Sequence, residues 1–322
     1  MIQTRITRLF GIEHPIIAGC MLGLSRAELV AAVSNAGALG ILASATFENQ
    51  EDLRREIRKT KNLTDKPFAV NINLFPTMRP VDTEGFIDVS IEEGVQILET
   101  SGRSPKAYVE RIKRGGVKFM HKCARVRDAI SCEKLGVDAV SIVGFECGGH
   151  PGLEDITTLI LVPLTVDSVS IPVIAGGGFV GGRGLVAALA LGAEGIVMGT
   201  RFLATKECIA HENVKKWVLE ASEGDTMIIQ RSIQSNVRVA KNAVATRFAE
   251  AEARGASLQE LLQMISPRGR EALLNGDLDA GTFACGQAAG LIRDLPTVGD
   301  LVRSIVQQAE EVRGRLPIGG VP

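Results

Sequence analysis

Short runs of β-branched and other apolar residues recur through the first 205 positions, and most stop at a glycine or a polar residue. Such runs, rich in Val, Ile and Leu and too short for buried helices, predict strands covered on both faces. They fall at 15–19, 39–43, 68–75, 95–100, 117–123, 139–144, 173–178 and 196–200. Between them the apolar spacing lengthens to that of a helix. Ser25-Arg26-Ala27-Glu28 has capping-box spacing ahead of a helix over 29–35, which Gly37 ends. A charged helix is expected over roughly 50–62, another begins at Pro105, and two more cover 126–135 and 183–192. Eight strands alternating with helices predict an α/β protein of the (β/α)8 type, a TIM barrel, because a doubly wound sheet usually has fewer strands.

After Thr205 the pattern changes. Segments 211–221, 237–254 and 257–264 read as helices, the last opened by Ser257 with Glu260 three positions on, and no strand is predicted there. The expected organisation is therefore a barrel built from 1–209 and 281–322, with a helical insert or lid over 210–280. Thr297-x-x-Asp300 predicts the start of the last helix.

Composition narrows the function classes. The 322 residues carry 36 basic and 37 acidic side chains, a formal net charge of −1, so no basic footprint for nucleic acid or a membrane surface is expected. With one Trp and one Tyr there is no platform for stacking bases. No uncharged apolar stretch of about 18 residues exists, and the first apolar run is broken by Glu13, His14 and Pro15, so neither a membrane span nor a signal peptide is expected. Cys20, Cys123, Cys132, Cys147, Cys208 and Cys285 form no Cys-x-x-Cys pair. Free thiols in a cytoplasmic protein are the expectation.

In a barrel of this kind the site lies at the carboxyl ends of the strands, and the loops after strands seven and eight are the favoured phosphate seat. Gly176, Gly177 and Gly178 occupy the first of these loops, and Gly199 and Thr200 the second. Glycines there let main-chain N–H groups approach an anion. The run 176–181 also matches G-x-G-x-x-G, but it falls late in the chain, after six other units, which excludes a dinucleotide-binding first unit. Alternation places Asn71 and Asn73 on one face. Lys122 ends strand five and could supply a fixed cation, or an amine for a Schiff base. His150, in a glycine-rich loop after strand six, suits a general base. His121 alternates with Lys122 and is expected in the barrel wall or core. Cys147 and His150 are spaced like half a zinc site, but no second pair exists, so no metal is expected.

Several segments together resemble the nitronate monooxygenases, formerly called 2-nitropropane dioxygenases, and the NADH:quinone reductases of the same FMN barrel family. They are 11–16, 121–123, 144–152, 174–178, 182–192 and 198–205, with Arg231-Ser232 and 238–242; Gly-Phe-Glu-Cys-Gly-Gly-His-Pro-Gly is the most specific. The resemblance implies an FMN enzyme with the phosphate on Gly176, Gly177, Gly178, Gly199 and Thr200. The ring would lie against Cys20, Met21, Leu22 and Asn73, with Lys122 and Gly148 beside it. His150 would manage the proton α to a nitro group, O2 would accept electrons, and a carbonyl compound and nitrite would leave. The alternative on the same cofactor is oxidation of NAD(P)H with a quinone or an enoyl thioester as acceptor. The first loop departs from the family pattern: Cys20 and Leu22 imply a more apolar pocket. A small-molecule substrate and room for a homodimer complete the expectation. Outside this family, a Schiff-base lyase using Lys122 and a non-catalytic phosphate-binding barrel remain to be distinguished.

Overall fold

The computed structural model describes residues 2–76, 81–264 and 269–316. Eight parallel strands close into a barrel in chain order: β1 (Ile16–Ala18), β2 (Leu39–Ala43), β3 (Phe68–Asn73), β4 (Ile97–Ser101), β5 (Lys118–Cys123), β6 (Ala139–Val143), β7 (Val173–Gly176) and β8 (Ile196–Met198). β1 pairs with β8 through Ile17 and Val197, which shuts the cylinder. Every predicted strand is present, so the expected TIM barrel is the observed fold. The first half carries α1 (Arg5–Phe10), α2 (Ala27–Asn35), α3 (Gln50–Leu63), α4 (Thr83–Glu92), α5 (Val109–Arg114) and α6 (Val126–Leu135). α7 (Thr158–Val166), α8 (Gly182–Ala190) and α9 (Thr200–Leu203) complete the ring, and the chain continues through α10 (Glu212–Glu220), α11 (Ala243–Ala253), α12 (Leu258–Met264), α13 (Gly269–Asn275) and α14 (Val298–Arg315). Among the described residues no helix is long and apolar enough to cross a membrane.

Side chains inside the barrel form layers. One is apolar and takes one residue from each strand and two from β2: Ile17, Leu39, Ile41, Ala69, Ile97, Met120, Ala139, Ile174 and Val197. Ile6, Phe10 and Ile12, on and just after α1, pack against it. The alternate strand residues, such as Val70, Leu98, Phe119 and Val140, belong to the larger core shared with the helices. His121 and Cys123 follow the same alternation and come close to Cys132 of α6; His121 Nδ1 is 2.7 Å from Thr100 Oγ1.

Two local expectations are corrected. α2 begins at Ala27, and no side chain of its own N-cap residue closes it. Ser25 Oγ instead accepts from the Met21 N–H at 2.8 Å, tying the first loop together. The Ala27 N–H donates to Glu56 of α3 at 2.8 Å, and the same carboxylate takes two 2.8 Å bonds from Arg26. A carboxylate from the next helix displaces the local cap because one buried acid satisfies both a cation and a helix N-terminus. The second correction lies beyond the barrel. Residues 226–240 hold an antiparallel hairpin, β9 (Thr226–Ile229) and β10 (Val237–Ala240), with Met227 opposite Val239 and Ile228 opposite Arg238. Helix 237–254 therefore shortens to α11, capped by Asn242. The alternation Val237-Arg238-Val239-Ala240 favours a strand, but next to a long helix-forming run it is easily absorbed. Ile229, Val239, Ala245, Phe248, Ala251 and Leu261 form a separate apolar cluster here. The Thr297 cap is as expected: its Oγ1 accepts from the Asp300 N–H at 3.1 Å.

Burial opposes the charge of Glu56, but Arg26 and the Ala27 N–H hold its carboxyl below the ordinary value of 4.5. A depressed acid stabilises the fold above its unfolded-state value and loses that contribution as pH falls through the folded one. Glu56→Ala is expected to lower the unfolding free energy by about 3 kcal/mol at neutral pH. In urea denaturation the gap from the parent protein should shrink as pH drops below about 4.5; a gap below about 1 kcal/mol at pH 7 would contradict the role.

Candidate active site at the carboxyl ends of the strands

Above the apolar layer the inward positions turn polar. Asn71 Nδ2 donates to Glu99 Oε2 at 2.6 Å and lies 3.2 Å from Ser101 Oγ. Lys122 Nζ sits 3.4 Å from Glu99 Oε2 and 3.8 Å from Cys20 Sγ. Glu99 is fully buried, and an ammonium beside it avoids the penalty that either charge would meet alone. Burial works against the Lys122 charge, yet the Glu99 carboxylate beside it holds its pKa above the ordinary lysine value. Lys122 is thus a fixed cation. A Schiff base needs the neutral amine, which the ion pair with Glu99 disfavours. Glu99 Oε1 and Ser141 Oγ are buried and have no partner among the described residues. Both belong to this polar layer, which leaves hydrogen-bonding capacity for a bound group.

The two glycine turns stand beside it. Gly177 and Gly178 have φ of +96° and +81°, a region that side chains disfavour. A Cβ on Gly199 would meet nothing nearer than Met21 Cγ at 3.8 Å, so the space over β8 is open to a ligand. Thr158 Oγ1 and N–H both donate to the Glu146 carboxylate, at 2.7 Å and about 3.0 Å, which fixes the start of α7 next to the β7 turn. Thr200 Oγ1 accepts from the Gly286 N–H at 3.0 Å, so the returning chain helps shape the seat.

His150 lies on the rim, in the loop after β6 next to the β7 turn. Its ring stacks on Phe75, with centroids 4.4 Å apart and 27° between planes. Asn73 Oδ1 accepts from the Phe75 N–H at 3.2 Å, turning the chain after β3 so that the aromatic reaches His150. One edge of the residue reaches solvent at the mouth while the stacked ring is packed among the loops, and it makes no ion pair among the described residues. Desolvation by the surrounding loops lowers its pKa below 6.5, which leaves it neutral and able to accept a proton at pH 7. Burial pushes the Cys20 thiol up to about 11 and the Cys147 thiol to about 12, so both remain protonated neighbours rather than nucleophiles.

The structure brings Cys20, Lys122 and Glu99 into one group, Met21 against Gly199, and Asn73, Phe75 and His150 into another. Gly148 lies against the segment carrying Gly286: a Cβ there would meet Cys285 C and Gly286 N at 2.8 Å. Leu22 is 65% exposed beside this mouth. Phe75 was not among the residues expected from sequence; its only signal there is a position two beyond Asn73 in the strand alternation. The cluster of metal-type ligands found among the described residues, His121, Cys123 and Cys132, faces α6 rather than the mouth.

Comparison with known proteins gives the family and the fold. The nitronate monooxygenase family matches residues 3–308. A protein of Rhodococcus jostii named (3aS,4S,5R,7aS)-5-hydroxy-7a-methyl-1-oxo-octahydro-1H-indene-4-carboxyl-CoA dehydrogenase is 34% identical, over 96% of each chain. A probable nitronate monooxygenase of Staphylococcus saprophyticus is 31% identical, over 98% of this chain and 99% of the other. The solved structure of FabK from Thermotoga maritima superposes with a TM-score of 0.93 at 37% identity, covering 98% of this chain and 99% of that one. A matching barrel, a fixed cation under the mouth and a histidine on its rim accompany a family match along nearly the whole chain: this protein belongs to the nitronate monooxygenase family of flavin-dependent oxidoreductases.

Proposed function

We propose that the protein is an FMN-dependent nitronate monooxygenase in which His150 handles the proton α to the nitro group. The observation that carries this reading is the His150 imidazole at the mouth, stacked on Phe75. The residues fit FMN. Gly177 and Gly178 offer a backbone cradle, Gly199 is open above, and unpaired Glu99 Oε1 and Ser141 Oγ lie in the polar layer. In this reading Gly176, Gly177, Gly178, Gly199 and Thr200 hold the phosphate, and Cys20, Met21, Leu22, Asn73, Lys122 and Gly148 border the ring.

FMN held by these residues would supply the redox capacity between the substrate and O2. The protein's own part is electrostatic and positional. Lys122, anchored by Glu99, places a permanent positive charge where negative charge accumulates on reduction. His150 takes the proton from the substrate carbon, and Phe75 restricts the ring to one orientation. The 210–280 segment acts as an insert whose loops shape the entrance.

A second reading has a specific observation behind it. Leu22, Leu153 and Ile156 are exposed apolar side chains on the loops after β1 and β6, a surface suited to a longer substrate than a nitronate. An enoyl or other acyl thioester, with NAD(P)H as donor, would use the same proton-handling histidine at the carbon α to a carbonyl. Quinone is a further acceptor for such an enzyme. Anaerobic mixing decides between them: propyl-2-nitronate should bleach the flavin, and absence of bleaching at every pH rejects the first reading. Rapid bleaching by NADH or NADPH, with little by nitronate, selects the second.

Two further outcomes are expected. With a neutral nitroalkane as substrate, His150→Ala should slow flavin reduction by about 10²- to 10⁴-fold. Because the His150 pKa is below 6.5, the parent rate should be flat through neutrality and fall only as pH drops through that lower value; stopped-flow rates across pH 5–8 read it. Gly178→Ala, at a φ of +81°, should weaken FMN binding by about tenfold or more in a fluorescence titration.

A further inference from the structure

Arg238 lies outside the barrel strands, on β10, and is only 3% exposed. It makes no ion pair among the described residues, and its Nη2 is buried without a partner. A buried guanidinium without a carboxylate carries a desolvation cost, reflected in a pKa held below the ordinary arginine value by burial. What it does touch is the loop that carries His150. Nε donates to the Phe145 carbonyl at 3.0 Å, and the guanidinium carbon stands 4.4 Å over the Phe145 ring. Nη1 donates to Thr226 Oγ1 on β9 at 3.1 Å, which fixes the plane of the group. Its main chain adds a two-way bridge: the Arg238 N–H donates to the Gly149 carbonyl at 2.7 Å, and the Gly149 N–H donates back at 3.0 Å.

The neighbouring residues of the hairpin hold the far side of the same loop. Asn236 Nδ2 reaches the Gly152 carbonyl at 3.4 Å, and Arg231 pairs with both oxygens of Asp155 at 3.1 and 3.0 Å. Residues 145–155 are thus fastened to β10 and its approach at points before and after His150. The two sides are unlike. Arg231 and Asp155 are both half exposed, so their pair is screened by solvent and contributes little. The Arg238 contacts are dry and directional, and a planar fork is needed to reach the Phe145 carbonyl, its ring and Thr226 at once; a lysine offers no such plane.

We propose that Arg238 is a positioning residue for His150: it clamps the loop so that the imidazole is presented to substrate in one place, which makes the β9–β10 hairpin a working part of the active site. The inference rests on the reading of His150 as the proton-handling group. A histidine held loosely still binds near substrate but spends less time aligned, so the loss appears in the chemical step and not in binding.

The test uses FMN-loaded full-length protein. Arg238→Lys should lower the limiting rate of flavin reduction by about 10- to 100-fold while substrate and FMN dissociation constants stay within about twofold. The double variant Arg238→Lys/His150→Ala should be no slower than His150→Ala alone, because both changes remove the same function. Hydrogen–deuterium exchange in peptides covering 145–150 should accelerate in Arg238→Lys. Thr226→Val, which removes the Nη1 acceptor alone, should give a smaller effect in the same direction, and it carries the test if Arg238→Lys fails to fold. An unchanged rate, additive losses in the double variant, or unchanged exchange overturns the clamp. If His150→Ala is as fast as the parent, the reading of His150 fails, and the exchange measurement alone decides whether Arg238 holds the loop.

Discussion

An ammonium group can stay in the wall of a barrel only if a carboxylate stays with it, and much of this structure follows from that requirement. Lys122 on β5 needs Glu99 on β4, and Glu99 in turn is held by Asn71 on β3. All three must point inward, in the layer above Ala69, Ile97 and Met120. A slip of one residue in β4 or β5 would turn a charge toward the helices, and one in β3 would remove the amide that holds Glu99. The observed register, with Asn71 opposite Glu99 and Ser101 opposite Lys122, is the one that keeps the charges together. The pair therefore belongs as much to strand alignment as to chemistry.

The barrel was legible because its signal is local and strong. A strand buried on both faces is a continuous apolar run, and the turn that ends it often needs a glycine, so composition alone outlines β1 through β8. The candidate site was legible for the same reason: the carboxyl end of each run identifies Cys20, Asn73, Lys122, His150 and the glycine turns. What escaped depends on partners far away in the chain. Ser25 and Glu28 have perfect capping spacing, but Glu56 takes the helix terminus. The hairpin at 226–240 is stabilised by Phe248 and Leu261 and by a bridge to Gly149, none of which a window of neighbouring residues contains. Phe75 lies beyond the end of β3, and only the folded chain shows that it meets His150.

The division of labour explains how one family can hold several chemistries. Strands and their tight turns supply the cation and the anchoring backbone, and these tolerate little change. The mouth is different. Leu22, Phe75, Leu153 and Ile156 come from loops, are exposed, and contribute little to the core. Substitution at Leu153 or Ile156 would change what the mouth admits without disturbing the barrel beneath it.

The segment carrying Gly286 has a consequence for the order in which the molecule is made. Its N–H completes the hydrogen bonding of Thr200, Gln287 bonds the carbonyl of Glu146, and Cys285 packs on Gly148. On a ribosome, all eight barrel strands have left the exit tunnel well before this segment does. The nascent chain can therefore close its cylinder while both the turn after β8 and the histidine loop lack their contacts with 285–287. The contacts that join the β8 turn to the histidine loop are therefore the last of this group to form, after the walls they connect.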